Sequence, residues 1–249
     1  MILLKSPEEL EIMRQSSRIV AEVREELKKK VKPGVTTLQL DVLAEDLIRA
    51  KGAKPAFKGY RGFPRTICTS VNNQVVHGIP GEIVLKDGDV VGIDLGAIWN
   101  GFYGDSAVTC GVGNISPAAE RLLKITEQSL YKGIDAAVPG GRLHDIGAAV
   151  QLCAESAGYT VVREFVGHGI GQALHEDPQV PNYGTKGTGM ILKVGMVLAI
   201  EPMINEGKPE VKILSDGWTA VTVDGKLSAH FEHTIAITEN GPEILTSIH

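Results

Sequence analysis

Asp94 stands between Ile93 and Leu95 in KDGDVVGIDLG, residues 86 to 96, a stretch that otherwise reads as a turn feeding an apolar strand. A lone carboxylate in such surroundings costs several kcal/mol unless something compensates it. Downstream, LGAIWNGFYGDSAVT carries Asn100-Gly101, a two-residue hairpin signal between β-forming residues. Centring the turn there pairs Trp99 with Phe102, Gly96 with Asp105 and Asp94 with Ala107. Asp94 and Asp105 then lie diagonally on one face, so either one binds a proton or the pair recruits a cation. Glycines at 92, 96 and 104 clear bulk where something must approach the backbone. Two more acids share apolar settings: Glu201 in MVLAIEPMI, and Glu232 in HFEHTIAI, where alternation puts His230, Glu232 and Thr234 on one strand face. His168 lies in the glycine-rich FVGHGIGQALH, and His175 follows seven residues later. Four acids in strand contexts with one imidazole describe a site for two divalent cations.

The elements that must position these residues are written twice. Ser6-Pro7-Glu8-Glu9 combines a capping box with proline at the first helical position, and Ser116-Pro117 repeats the serine-proline entry. The first helix is expected from about Pro7 to Lys30, ended by Pro33-Gly34, and a second begins near Thr36 or Thr37. An offset of 106 or 107 residues aligns Pro33-Gly34 with Pro139-Gly140, Gly52 with Gly158, and Lys86-x-Gly88-x-Val90 with Lys193-x-Gly195-x-Val197. The alignment runs on through Ile93-Asp94 to Ile200-Glu201. That period is too long for a solenoid unit and implies a duplicated half-domain. The expectation is an α+β fold, helices covering a curved, mainly antiparallel sheet, with residues 1–249 forming one catalytic domain of pseudo-symmetric halves at about 1–110 and 111–249.

Bulk properties remove several classes of function. No apolar run approaches the roughly 20 residues of a membrane span, and MILLKSPEELE turns acidic before a signal-peptide core develops, so a cytoplasmic protein without a membrane partner is expected. A net charge of −5 argues against a nucleic-acid site. The three cysteines are odd in number and lack CxxC spacing, so neither a disulfide framework nor a thiolate zinc site is suggested. One imidazole with four carboxylates is a hard, oxygen-rich set that favours Fe, Mn or Co, with Zn or Ni as alternatives.

The ordered set Asp94, Asp105, His168, Glu201, Glu232 resembles the metal-ligand signature of the methionine aminopeptidases, members of the pita-bread, creatinase-like fold. VHGIPG at 76 to 81, GDSA around Asp105, GHGIGQALHEDPQVPNY at 167 to 183, AIEPM at 199 to 203 and HFEHT at 230 to 234 carry the resemblance. The absence of an N-terminal zinc-binding extension and of a large insertion is similar to the short bacterial type I form. The resemblance implies that Asp105 and Glu232 bridge two metals, that Asp94 completes one site and that His168 with Glu201 completes the other. A bridging hydroxide would attack the first peptide carbonyl, Glu201 would manage its proton, His175 would bind the carbonyl oxygen, and His77 would contact the amide nitrogen.

The resemblance further implies a methionine pocket walled by Phe57, Tyr60, Phe63, Cys68 and Trp218, and a Na or K ion near Asn72, Gln74 and Ser228. Some relatives carry Cys at the Phe57 position, His at Arg61 and Phe at Leu174. The implied activity is removal of the initiator methionine from nascent chains with a small second residue, by a monomer in transient contact with the ribosome.

Overall fold

The computed structural model describes residues 2–248. Its first half opens with helices α1 (Pro7–Lys28) and α2 (Thr37–Ala50), followed by strands β1 (Lys54–Pro55), β2 (Ile67–Val71), β3 (Gln74–Val76), β4 (Val90–Trp99) and β5 (Phe102–Gly111). The second half repeats the plan with α3 (Pro117–Ala136) and α4 (Leu143–Ser156), then β6 (Thr160–Val161), β7 (Gly167–Gly169), β8 (Glu176–Val180), β9 (Val197–Ile200) and β10 (Met203–Asn205). The chain ends with β11 (Val211–Ile213), β12 (Ala220–Thr222), β13 (Ser228–His230), β14 (His233–Thr238) and β15 (Gly241–Ile244).

The helix starts follow from local chemistry. Ser6 Oγ accepts from Glu9 N while the Glu9 carboxylate accepts from Ser6 N, and Thr36 with Gln39 does the same for α2, so each box satisfies two otherwise orphaned donors. Ser116 Oγ accepts from Ala119 N at the head of α3. The first helix stops at Lys28, two residues short of the expected Lys30. Lys30 and Val31 already turn back through Lys30 N–Leu27 O and Val31 N–Lys28 O bonds, a tightened terminal turn.

The internal repeat extends to the backbone. Gly34 and Gly140 lie at φ of 89° and 81°, Gly52 and Gly158 at 74° and 86°, Gly88 and Gly195 at 93° and 89°. Each pair ends a helix or opens a strand in the left-handed region that glycine enters without penalty. Two equivalent isolated bridges, Thr36 to Val84 and Arg142 to Ile191, tie the second helix of each half to the loop before its central strand.

All strand pairs among the described residues are antiparallel. Hydrogen bonding divides them into four sheets: β1-β4-β2 with β5 on β4, β15-β14-β9-β7-β8, β13-β10-β6, and β11-β12-β3. The main core packs helices from both halves against the central strands, through Val20, Leu27, Leu40, Ile93, Leu122, Ile146 and Ile200, all fully buried or nearly so. Burying such side chains stabilises the fold by about 1.5–3 kcal/mol each.

Candidate functional site

The hairpin supplies the first two acids. Trp99 pairs with Phe102, Gly96 with Asp105 and Asp94 with Ala107, the register expected from the Asn100-Gly101 turn. What approaches the backbone at the hairpin glycines is the protein itself. A Cβ on Gly104 would lie 2.8 Å from Ser17 Cα in α1, and one on Gly96 would lie 2.9 Å from the Phe57 ring, whereas Gly92 would meet only ordinary contacts.

Glu201 and Glu232 occupy matching interruptions rather than strand interiors. Ile200 pairs with His233 and Met203 with His230, so the register is continuous, but residues 201–202 and 231–232 between those pairs belong to no strand. The expectation that His230, Glu232 and Thr234 share one strand face is therefore corrected. Pro202 has no N–H to give the ladder, and Glu232 N donates instead to Ala107 O of β5, at 2.9 Å. His168 reaches the same centre from β7, where the chain is squeezed. A Cβ on Gly167 would lie 2.3 Å from Ala199 O and one on Gly169 2.2 Å from Asp177 O, so side chains are excluded on both sides of the histidine.

The two halves meet along a seam of hydroxyls. Thr234 Oγ1 donates to Asp105 O and accepts from Asp105 N, and Thr109 Oγ1 does the same with His230 O and His230 N. Ser106 Oγ donates to Glu232 O and accepts from Arg24 Nη1. These side-chain bonds, with the Glu232 N–Ala107 O bond, join β5 to the segment that carries Glu232. Thr234→Val keeps the shape and removes both bonds; we expect Mn(II) to bind about 10–100-fold more weakly by calorimetry, with the fold retained by circular dichroism.

The geometry of this cluster suits a cation. Asp105, His168 and Glu232 each present a ligand atom within 4.8 Å of the other two. His168 Nε2 lies 3.5 Å from Glu201 Oε1 and 3.9 Å from Asp105 Oδ2. His168 Nδ1 is 2.9 Å from Gly169 O, an acceptor only, so the ring proton sits on Nδ1 and the Nε2 lone pair faces the carboxylates. Asp94 Oδ1, Asp105 Oδ1, Glu232 Oε1 and His230 Nε2 are buried without a hydrogen-bond partner.

Burial pushes Asp94 up to about 7. Burial first, then the neighbouring acids, pushes Asp105, Glu201 and Glu232 well above the usual carboxylate range. Burial lowers His168 to about 3, so it stays neutral. Lone pairs facing lone pairs, with orphaned oxygens among them, fit divalent metal coordination, and the imidazole's second nitrogen is anchored as a ligand's would be.

A cavity of about 170 Å³ opens onto the acids and is lined by Phe57, Tyr60, Arg61, Phe63, Cys68, His77, Leu174, His175 and Trp218 as well. Phe63 stands edge-on to Trp218 with centroids 5.1 Å apart, giving one wall. His77, at φ 60°, packs edge-on against Phe165 and Trp218. Burial, then His175, lowers its pKa to about 4. The His175 and His168 rings lie 4.2 Å apart, and His175 Nδ1 is 2.8 Å from the Tyr60 hydroxyl. Burial and then the Arg61 charge lower the His175 pKa, which favours the neutral ring.

All five acid and imidazole candidates, both further histidines and all five pocket candidates thus line one cavity. Asn72 and Ser228 also meet, Ser228 N donating to Asn72 O at 3.0 Å, while Gln74 Oε1 accepts from Val71 N.

Comparison with known proteins agrees with this geometry. Residues 11–239 match the model of metallopeptidase family M24. Methionine aminopeptidase 1 of Bacillus subtilis is 59% identical over 248 residues, spanning both chains in full. The crystal structure of methionine aminopeptidase from Thermotoga maritima superposes with a TM-score of 0.98 at 49% identity, again over both full chains. Prolidase from Pyrococcus furiosus, 25% identical, matches with a TM-score of 0.79 over 99% of this chain and 66% of its own, which marks the fold as the pita-bread type shared by both kinds of peptidase. On these grounds the chain belongs to metallopeptidase family M24, among its methionine aminopeptidases.

Proposed function

We propose that this protein hydrolyses the first peptide bond of polypeptides that begin with methionine and carry a small second residue, using a dinuclear metal centre. The observation that carries the metal reading is the cluster of four acids, Asp105 and Glu232 buried and Asp94 and Glu201 half-buried, around a neutral imidazole, with orphaned oxygens and no Lys or Arg paired with them among the described residues. One dication would neutralise two of four carboxylates; two neutralise all four. Bound divalent ions supply Lewis acidity to a carbonyl oxygen and to water near neutral pH. Asp94, Asp105, His168, Glu201 and Glu232 would hold them, and this hard donor set favours Fe, Mn or Co.

The remaining steps belong to the chain. Glu201, whose two oxygens face His168 and His230 at 3.5 and 3.8 Å, takes the attacking water's proton and passes it to the departing amine. With the Tyr60 phenol donating to Nδ1, His175 carries its proton on Nε2 and donates it to the developing oxyanion. His77 holds the scissile amide nitrogen. The methionine side chain lies among Phe57, Tyr60, Phe63, Cys68 and Trp218, whose aromatic faces suit a polarizable thioether.

Residues from both halves line this single cavity, which supports reading 1–249 as one catalytic unit. No helix among the described residues is long and apolar enough to cross a membrane. A monomer acting in the cytoplasm beside the ribosome suits the substrate.

The test is hydrolysis of Met-Ala-Ser and Met-Ile-Ser by protein loaded with Mn(II) or Co(II). Met-Ala-Ser is expected to react at least about 100-fold faster. Cleavage of neither, or of both equally, overturns the proposal; preference for Gly-Pro over both makes the protein a prolidase instead.

A further inference from the structure

The cavity's lining holds four carboxylates and one permanent cation, Arg61. Nearby cations are already engaged: Lys58 Nζ is 2.6 Å from Glu45 Oε2, and Arg49 binds the same carboxylate. Arg61 differs. Its exposed guanidinium lies over the Tyr60 ring, 5.4 Å from the centroid, and is held in no ion pair among the described residues.

The backbone beneath it is unusual. Arg61 itself lies at φ 47°, ψ 25°, between Gly59 at φ 87° and Gly62 at φ 89°. A left-handed arginine costs about 1 kcal/mol or more, and such outliers concentrate where a side chain is being aimed. Here the turn sets Arg61 beside Tyr60, whose hydroxyl reaches His175. The order from the reacting carbonyl outward is therefore His175, Tyr60, Arg61.

We propose that Arg61 determines specificity beyond the second residue, favouring polypeptides with an acidic side chain at the third position. This rests on the aminopeptidase reading above and names a substrate class within it. Methionine fills the closed end, the small second residue passes the histidines, and the third residue is the first to emerge at the rim. A carboxylate there meets an unpaired guanidinium in a partly screened setting. A single exposed pair of this kind changes kcat/KM about 2- to 5-fold, mainly through KM, because a rim charge acts on encounter and binding.

The experiment measures kcat/KM of the metal-loaded enzyme for Met-Ala-Asp-amide and Met-Ala-Asn-amide at low and high salt. Wild type is expected to prefer the aspartyl peptide about 2- to 5-fold at low salt, with the ratio falling toward 1 at high salt. Arg61→Asn retains a residue that tolerates the left-handed turn and should bring the ratio to about 1 at both salt levels. Arg61→Lys should restore the preference, and Arg61→Glu should invert it. A wild-type ratio of 1 at low salt, or one that Arg61→Asn leaves unmoved, overturns the role of Arg61 alone. Cleavage of neither peptide by wild type overturns the aminopeptidase reading and this inference with it.

Discussion

Asp105→Asn is expected to lower kcat/KM by at least about 10³-fold and, in the same protein, to raise the melting temperature of the metal-free form. The first effect follows from removing a donor that lies within 4.8 Å of both His168 and Glu232 ligand atoms. Losing several kcal/mol of charge stabilisation, at about 1.4 kcal/mol per tenfold in rate, gives that order. The second effect follows from the same geometry without metal. Asp105 Oδ1 has no hydrogen-bond partner, and burial first, then Asp94 and Glu201, push its pKa upward. An asparagine of the same shape cannot ionise in a site where a charge is costly, and it offers an N–H to the neighbouring carboxyl groups. Removing a partner from a true buried ion pair does the opposite, so the sign of the change separates a cation-holding cluster from an internal salt bridge. Thermal melts in chelator, and the stabilisation gained on adding Mn(II), measure both; a lower metal-free melting temperature in the variant refutes the account.

Metal-free protein should also lose stability as pH rises from about 6.5 to 9, and metal should abolish that loss. A carboxylate whose folded pKa is raised contributes stability below its unfolded value and loses it as pH rises through the folded one. Unfolded values are about 4; Asp94 is raised to about 7 and the other three acids well above the usual range. His168, His230 and His233 act in the other direction, with pKa values lowered to about 3, mainly by burial. Their effect develops only as pH falls below about 6.5, where the unfolded imidazole takes up a proton. The two trends oppose one another up to about pH 6.5, the unfolded imidazole value. Above it the acids alone decide, and each unit of displaced pKa is worth about 1.4 kcal/mol. Bound dications keep the acids ionised throughout, so loaded protein should show a flat melting temperature over the same interval. A metal-free melting temperature that is constant or rising from pH 6.5 to 9 contradicts this.

Much of the centre was legible because its signals are local. Asn100-Gly101 set the hairpin register, and the register alone brought Asp94 and Asp105 to one face. The repeated Lys-x-Gly-x-Val string located Glu201 as the partner of Asp94, and the Ser6 capping box and the Ser116-Pro117 entry located the starts of α1 and α3. The identities of the substrate and of the pocket residues came from resemblance, since Phe57, Tyr60, Phe63 and Trp218 are indistinguishable by pattern from ordinary core.

What escaped was long-range. Alternation extends through Glu232 without a break, yet the strand is interrupted there because β5 competes for the Glu232 N–H. Thr234, Thr109 and Ser106 join segments more than 120 residues apart, and their composition marks them only as common strand residues. Arg61 and Leu174 were visible as departures from relatives, but their place in the cavity lining required the left-handed turn at 59–62 and the loop after β7.

The seam also governs the order of assembly. Asp94 and Glu232 are separated by 138 positions in the chain, and no shorter segment carries the whole donor set. Closing so long a loop is entropically slow, and only docking of the two repeats brings the oxygens within reach of one another. Ion capture must therefore be a late event in folding, a lock applied to an already collapsed molecule rather than a nucleus around which it forms.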